Sequence, residues 1–258
     1  MTSAVQDLGW ATIRGVSDLG RLAVFGLETV RAALTPPFRL RLLIDEIFKL
    51  GVLSLVIICV SGLAVGMVLG LQGYNTLVRF GAEQSLGAVV GLSLVRELGP
   101  VLTALLATGR AGSATTAEIG TMVATEQLDA LRMMSIDPLD WVVAPRALAM
   151  ILVMPLLSAL FILCGLFGGY LVGVKLMGVD AGNYVTSLES SVDFRDDVLG
   201  SLVKALVFGI LAGLISTYRG FTAQPTSAGV GAATTSTVVF TSVSVLIVDY
   251  FITALWGV

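Results

Sequence analysis

Long apolar runs alternate with short polar segments along this chain. Five runs, roughly 50–72, 86–109, 147–174, 198–217 and 237–256, have the ~20 residues a helix needs to cross a bilayer. The second is interrupted by Arg96, Glu97 and Pro100. The third is long enough to tilt, and Pro155 supplies a kink site. Residues 1–35 follow another pattern. Arg14, Asp18, Arg21 and Glu28 recur at helical spacing, while Val16, Leu19, Ala23, Gly26 and Val30 line another face. That predicts a helix lying in the membrane interface, ended by Thr35-Pro36-Pro37. A soluble helix packed on the bundle would show the same pattern. The polar stretch "GTMVATEQLDALRMMSIDP" (120–138) lies between the second and third runs. Glu126, Asp129 and Arg132 repeat at i+3, as do Leu128, Leu131 and Met134, so two faces form. Asp129 and Arg132 can pair across one turn, and Asp137-Pro138 stops the helix. The expected fold is an all-α integral membrane protein. It has five transmembrane helices, an N-terminal interfacial helix and linker over 1–40, and a membrane domain over 41–258.

Composition agrees. The chain is 56% hydrophobic and only 13% charged, against about 25% charged in soluble domains. A net charge of −3 with no basic run suggests no nucleic-acid partner. There is no histidine, which removes His-based acid–base chemistry and His-ligated metal sites. Cys59 and Cys164 lie inside apolar runs and read as small hydrophobes rather than a disulfide. Asp7, Arg14 and Asp18 leave no unbroken apolar core for a signal peptide at the N-terminus. Ten Lys and Arg residues flank the spans on the side of the N-terminus, against three on the other. The positive-inside rule therefore puts the N-terminus in the cytoplasm and, with five spans, the C-terminus outside. Residues 120–138 fall on the cytoplasmic side.

Small residues punctuate the spans. Gly62, Gly66 and Gly70, then Gly165, Gly169 and Gly173, then Gly209 and Gly213 repeat every four residues. This spacing lets helices approach closely in lipid, mostly within one subunit, with a dimer contact plausible for one face. "GRAGSATTAEIGT" (109–121) is almost wholly small or polar and predicts another close helix contact. Thr115 and Glu118 there have capping-box spacing, as at a helix start after a break near Gly112.

Charges inside the spans require explanation. A charge at the bilayer centre costs about 2.5–3.5 kcal/mol on insertion scales, so such groups face protein or water, or pair. Arg96 and Glu97 project about 100° apart on a helix and need not pair with each other. Lys204 and Asp249 are the other intramembrane candidates. An interhelical ion pair that fixes the bundle and a water-filled cavity for a polar substrate group both fit. A break at Gly99-Pro100 would free backbone carbonyls, tolerated where they line a cavity.

These residues carry a resemblance. "GMVLGLQGY" (66–74), "VRELGPVLTALLATGRAGSATTAEIGTM" (95–122), "EQLDALRMMSIDP" (126–138) and "PTSAGVGAATT" (225–235) resemble the MlaE/YrbE family of ABC transporter permeases. The likeness runs from about residue 40 to the end. It implies a permease domain over 41–258 and a homodimer in the bacterial inner membrane. Two cytoplasmic ABC ATPase subunits, a STAS-domain protein bound to the ATPase and a periplasmic hexameric ring of MCE-domain subunits are the implied partners. The implied activity is movement of phospholipid between the inner membrane and periplasmic carriers, which helps maintain outer-membrane lipid asymmetry. The chain's only lysines, Lys49, Lys175 and Lys204, do not follow a glycine, so it has no P-loop of its own. It is expected to be no enzyme and to bind no cofactor, with ATP used by the partner. The resemblance makes Glu126, Gln127, Leu128, Asp129, Ala130 and Leu131 the coupling helix that seats in the ATPase. It places a lipid cavity between subunits, with Leu69, Arg96 and Glu97 at matching positions. Leu77 and Phe80 extend its apolar wall, and Asp249 is a candidate partner across the dimer. A secondary transporter or ion channel using Arg96, Glu97, Lys204 and Asp249 is the alternative, as is a non-transporting scaffold. No duplicated half is evident, which argues against inverted-repeat transporters.

Overall fold

The computed structural model describes residues 17, 18, 20–33 and 40–256. The start of the N-terminal stretch, including Arg14, Val16 and Leu19, and its Thr35-Pro36-Pro37 stop lie outside the described residues. Helix α1 covers 20–33, α2 Leu40–Leu50 and α3 Leu55–Leu77. The second span is built from α4 (Leu86–Ser93), α5 (Gly99–Ala107) and α6 (Ser113–Ala124). Two π turns, Leu94–Leu98 and Thr108–Gly112, join these pieces. Then come α7 (Gln127–Met133), α8 (Ala144–Tyr170), α9 (Ala181–Ser191), α10 (Leu199–Phe221) and α11 (Ser227–Trp256).

Among the described residues, five helical stretches are long and apolar enough to cross a membrane: Leu40–Phe80, Glu83–Ala124, Leu139–Leu176, Phe194–Phe221 and Ser227–Leu255. They coincide with the five predicted apolar runs and extend beyond most of their ends. Backbone helicity continues through residues whose side chains end an apolar run, as at Glu118 in α6. Pro155 sits inside α8 without terminating it.

The glycine repeats build the centre of the bundle. Gly66 meets Gly165 so closely that a Cβ there would collide with the Gly165 carbonyl oxygen. Gly62 and Gly70 similarly face Phe161 and Gly169, so α3 and α8 run backbone to backbone. On the other flank of α8, Gly209 and Gly213 of α10 seat against Met154 and Ala147. All these contacts fall within one chain. The small-residue segment of α6 makes the expected close contact with α10 and α11. The buried Thr116 hydroxyl bonds the Ser216 carbonyl at 2.9 Å and Thr237 Oγ1 at 3.0 Å.

The capping-box expectation is not met. Thr115 Oγ1 donates to the Ala111 carbonyl at 2.9 Å from mid-helix, and Glu118 pairs with Arg146. The chain absorbs the irregularity near Gly112 as a π turn, so no free N–H groups need a cap. Of the five spans, α11 is the least covered by the rest of the chain and α3 the next least.

Two ends of the bundle are defined by what gathers there. At one, α1 lays Phe25 against Tyr218 and Phe221 of α10, and Arg132 of α7 sits 5.8 Å from the Phe221 ring centre. At the other, α9 covers α4. Its Tyr184 is buried there, and burial pushes the hydroxyl pKa up to about 12.

Candidate functional site

The break predicted at Gly99-Pro100 begins the site. Proline has no N–H, so the Arg96 carbonyl four residues earlier lacks its helical donor. The chain enters a π turn over Leu94–Leu98, and Lys204 Nζ of α10 donates to the Arg96 carbonyl at 2.9 Å. The same ammonium donates to Glu97 Oε1 at 2.9 Å and to Thr253 Oγ1 at 2.8 Å, and lies 3.5 Å from Asp249 Oδ1. Thr253 closes the set by donating to Glu97 Oε1 at 3.2 Å. Lys204 is thus the hub of spans two, four and five. Its side chain is only 8% exposed, whereas that of Glu97 is 42% exposed. The pairing offsets the cost of burying the ammonium, and Glu97 keeps one face open.

Arg96 turns to a different partner. Its Nε donates to Asp197 Oδ1 at 2.7 Å, and the carboxylate of Asp197 is fully buried. Asp197 also accepts from the Asp193 backbone N–H at 2.8 Å. The two terminal nitrogens of Arg96 make no hydrogen bond to a described residue. Arg96 lines a cleft together with Glu97, Asp196, Asp197, Ser201, Lys204 and Thr253. A planar guanidinium held at Nε presents its remaining fork to an oxyanion such as phosphate.

Arg96, Glu97 and Asp249 are therefore brought together. Asp249 reaches Lys204 of its own chain, where the sequence suggested a partner across a dimer. Leu69 and Leu77 do not line the cleft. They are half-buried on α3 against the main core, and Phe80 is 79% exposed beyond the end of that helix.

At the opposite end, the chain enters α7 through Glu126 and leaves it through Ser135, both in the left-handed region with φ of 57° and 60°. Such non-glycine residues cost roughly 1–2 kcal/mol each, so the sharp reversals must be held by packing. Leu128 supplies it, buried with Ile119 and Val142, with Leu131 packed alongside. The apolar face of α7 thus turns into its own chain. Glu126, Gln127, Asp129 and Ala130 point outward, and Met133 and Met134 are exposed beside them. The Asp129–Arg132 pair forms at 2.7 Å as its spacing predicted.

Behind α7 lies a second charge cluster. Arg146, at the start of α8, is 3.2 Å from Glu118 of α6 and 3.4 Å from Glu46 of α2, and it donates to the Val142 carbonyl at 3.0 Å. Sequence reasoning did not pick out Glu46, Arg146, Asp197 or Thr253 for these roles. A hydroxyl in a span is a weak signal because it usually bonds its own helix, as Thr76 does to Gln72. Acids next to a span look like solvated flanks until another helix covers them.

Five apolar spans with a paired intramembrane charge network define a multi-pass membrane protein. The family model for "Permease MlaE" matches residues 43–255. The chain is 53% identical over 214 residues to the "Intermembrane phospholipid transport system permease protein MlaE" of Haemophilus influenzae, covering 83% of this chain and 82% of that one. It is 40% identical over 256 residues to a "Probable ABC transporter permease protein" of Rickettsia bellii, covering 99% and 98%. The Arabidopsis thaliana protein "TRIGALACTOSYLDIACYLGLYCEROL 1, chloroplastic" is 32% identical over 211 residues, covering 82% of this chain and 60% of the plant protein. The chain belongs to the MlaE permease family.

Proposed function

We propose that this chain is the inner-membrane permease subunit of an ABC-type phospholipid transporter, with ATP hydrolysis carried out by a partner ATPase. The named Haemophilus relative supports the substrate class. The observation that carries the reading is the Arg96 fork, free beside Glu97 and Lys204 in a cleft of an otherwise apolar bundle. A phosphate head group suits that fork, and acyl chains suit the exposed apolar faces of α3 and α11.

Two copies would place these little-covered helices against each other or around a shared lipid cavity. Leu69, Leu77 and Phe80 would contribute apolar surface to it. The N-terminus and α7 face the cytoplasm and the C-terminus faces the periplasm. There α7 seats in one ATPase of a pair, with a STAS-domain protein on the ATPase and an MCE-domain ring on the far side. Helix α1, whose Val24, Leu27 and Val30 are exposed, lies in the cytoplasmic interface. An ion relay is disfavoured because the three donors of Lys204 are already taken by three acceptors, with Asp249 as an ion-pair neighbour.

The test is phospholipid transfer from proteoliposomes holding the whole complex to periplasmic carrier protein. Arg96→Ala should lower transfer at least tenfold while the complex still assembles. Unchanged transfer would reject the cleft as the head-group site. For docking, Glu126→Lys and Ala130→Arg alter outward positions and should reduce ATPase copurification. Full copurification with both would reject α7 as the contact.

A further inference from the structure

An apolar groove of ≈ 460 Å³ opens between α8, α9 and α10, away from α3 and α11. Ala159, Leu163 and Leu166 form one wall, Val198 and Leu202 the other, and Leu188 of α9 closes the outer end. Ala159 to Leu166 extends about 10 Å along α8 at about 1.5 Å per residue. Leu163 and Leu202 are 62% and 37% exposed, inside stretches that cross the membrane, so the groove faces acyl chains and not water.

A polar group sits in its wall. Ser201 is 3% exposed, and its hydroxyl has no hydrogen-bond partner. It does not bond the carbonyl four residues back, as Thr217 does to Gly213. Several buried hydroxyls lack partners, but Ser201 also lines both this groove and the Arg96–Lys204 cleft. A buried hydroxyl without a partner is costly, and a ligand oxygen would relieve that cost. Acids mark the outer mouth: Glu189 lines it, and Asp196 borders the adjoining cleft.

We propose that this groove is a phospholipid-binding site within a single subunit. One acyl chain lies along α8 and the Ser201 hydroxyl donates to an ester carbonyl of the same lipid. The acidic mouth favours an amine-bearing, zwitterionic head group over an anionic one. The groove is separate from the surface between subunits and stands whether or not the chain transports lipid.

The full-length protein in nanodiscs of equal phosphatidylethanolamine and phosphatidylglycerol supplies the test. Benzoylphenylalanine is placed at Leu202 in the groove, and at Leu156, which is exposed on α8 but does not line the groove. Lipid adducts are then counted by mass spectrometry. Leu202 should yield several-fold more adduct than Leu156, enriched in phosphatidylethanolamine. Ala159→Phe should fill the groove and bring Leu202 down to the Leu156 level. Ser201→Ala, the milder change, should lower the Leu202 adduct about two- to tenfold, as expected for one hydrogen bond. Equal yields at both positions, insensitive to Ser201→Ala, would mean annular lipid only and overturn the site. Adducts richer in phosphatidylglycerol would overturn the head-group assignment.

Discussion

The Lys204 and Arg146 clusters answer one problem in two ways. Each holds a cation whose side chain is 8% exposed at one end of the bundle. Lys204 is a point charge with three donors, and oxygens from spans two and five converge on it. Arg146 is a planar fork stretched between α2, α6 and its own helix, and its Nε is left buried without a partner. The lysine cluster is closed around its ammonium and open at Glu97. The arginine cluster is open within, and one of its acids, Glu118, is 46% exposed. Each cluster thus has one acid that water can reach and one that is mostly covered, Asp249 in the first and Glu46 in the second.

The largest effect is expected from Lys204→Met, which strands Glu97, Asp249 and the Arg96 carbonyl together. Removing one partner of a buried pair costs about 3–5 kcal/mol, so thermal melting in detergent should show a severe loss. Adding Asp249→Asn should recover part of it. A wild-type melt for the single variant would remove the cluster from the account of stability. Arg146→Met should rank next, at about 1.5–3 kcal/mol, because it strands one mostly covered acid, Glu46, and no freed span-two carbonyl. If it proves costlier than Lys204→Met, the comparison is reversed. Thr253→Val deletes one donor from the Lys204 cluster and should cost about 1 kcal/mol in the same assay. Asp129→Ala breaks only an exposed pair on α7, worth about 0.3–0.5 kcal/mol and weaker still in high salt. A larger loss would show that α7 is held by its charges and not by Leu128.

Much of this was legible in the sequence, for physical reasons. Apolar runs report spans because lipid tolerates little else, and the glycine repeats report close helices because a Cβ at Gly66 has no room. Arg96, Glu97, Lys204 and Asp249 were visible as charges where charges are costly. Their pairing was not, since Asp197 and Thr253 become partners only once α10 and α11 pack beside α5. The two faces read for α7 hold for Leu128 and Leu131, which pack inward, but not for Met134, which is 61% exposed. Their direction was not readable, because an apolar stripe looks the same whether it meets a partner or its own chain. Leu128 meets its own chain. The capping-box reading at Thr115 failed because spacing alone cannot tell a helix start from a helix that carries on.

The π turns at Leu94–Leu98 and Thr108–Gly112 have a consequence for how span two can vary. Each behaves like one inserted residue, and each inserted residue advances the helix phase by about 100°. The charges at Arg96 and Glu97 and the small-residue contact at Thr116 are therefore held in phase by two insertions that no hydropathy profile registers. Deleting a single residue at either turn would leave the span as long and as greasy as before, with its charges and its contact stripe pointing to mismatched neighbours.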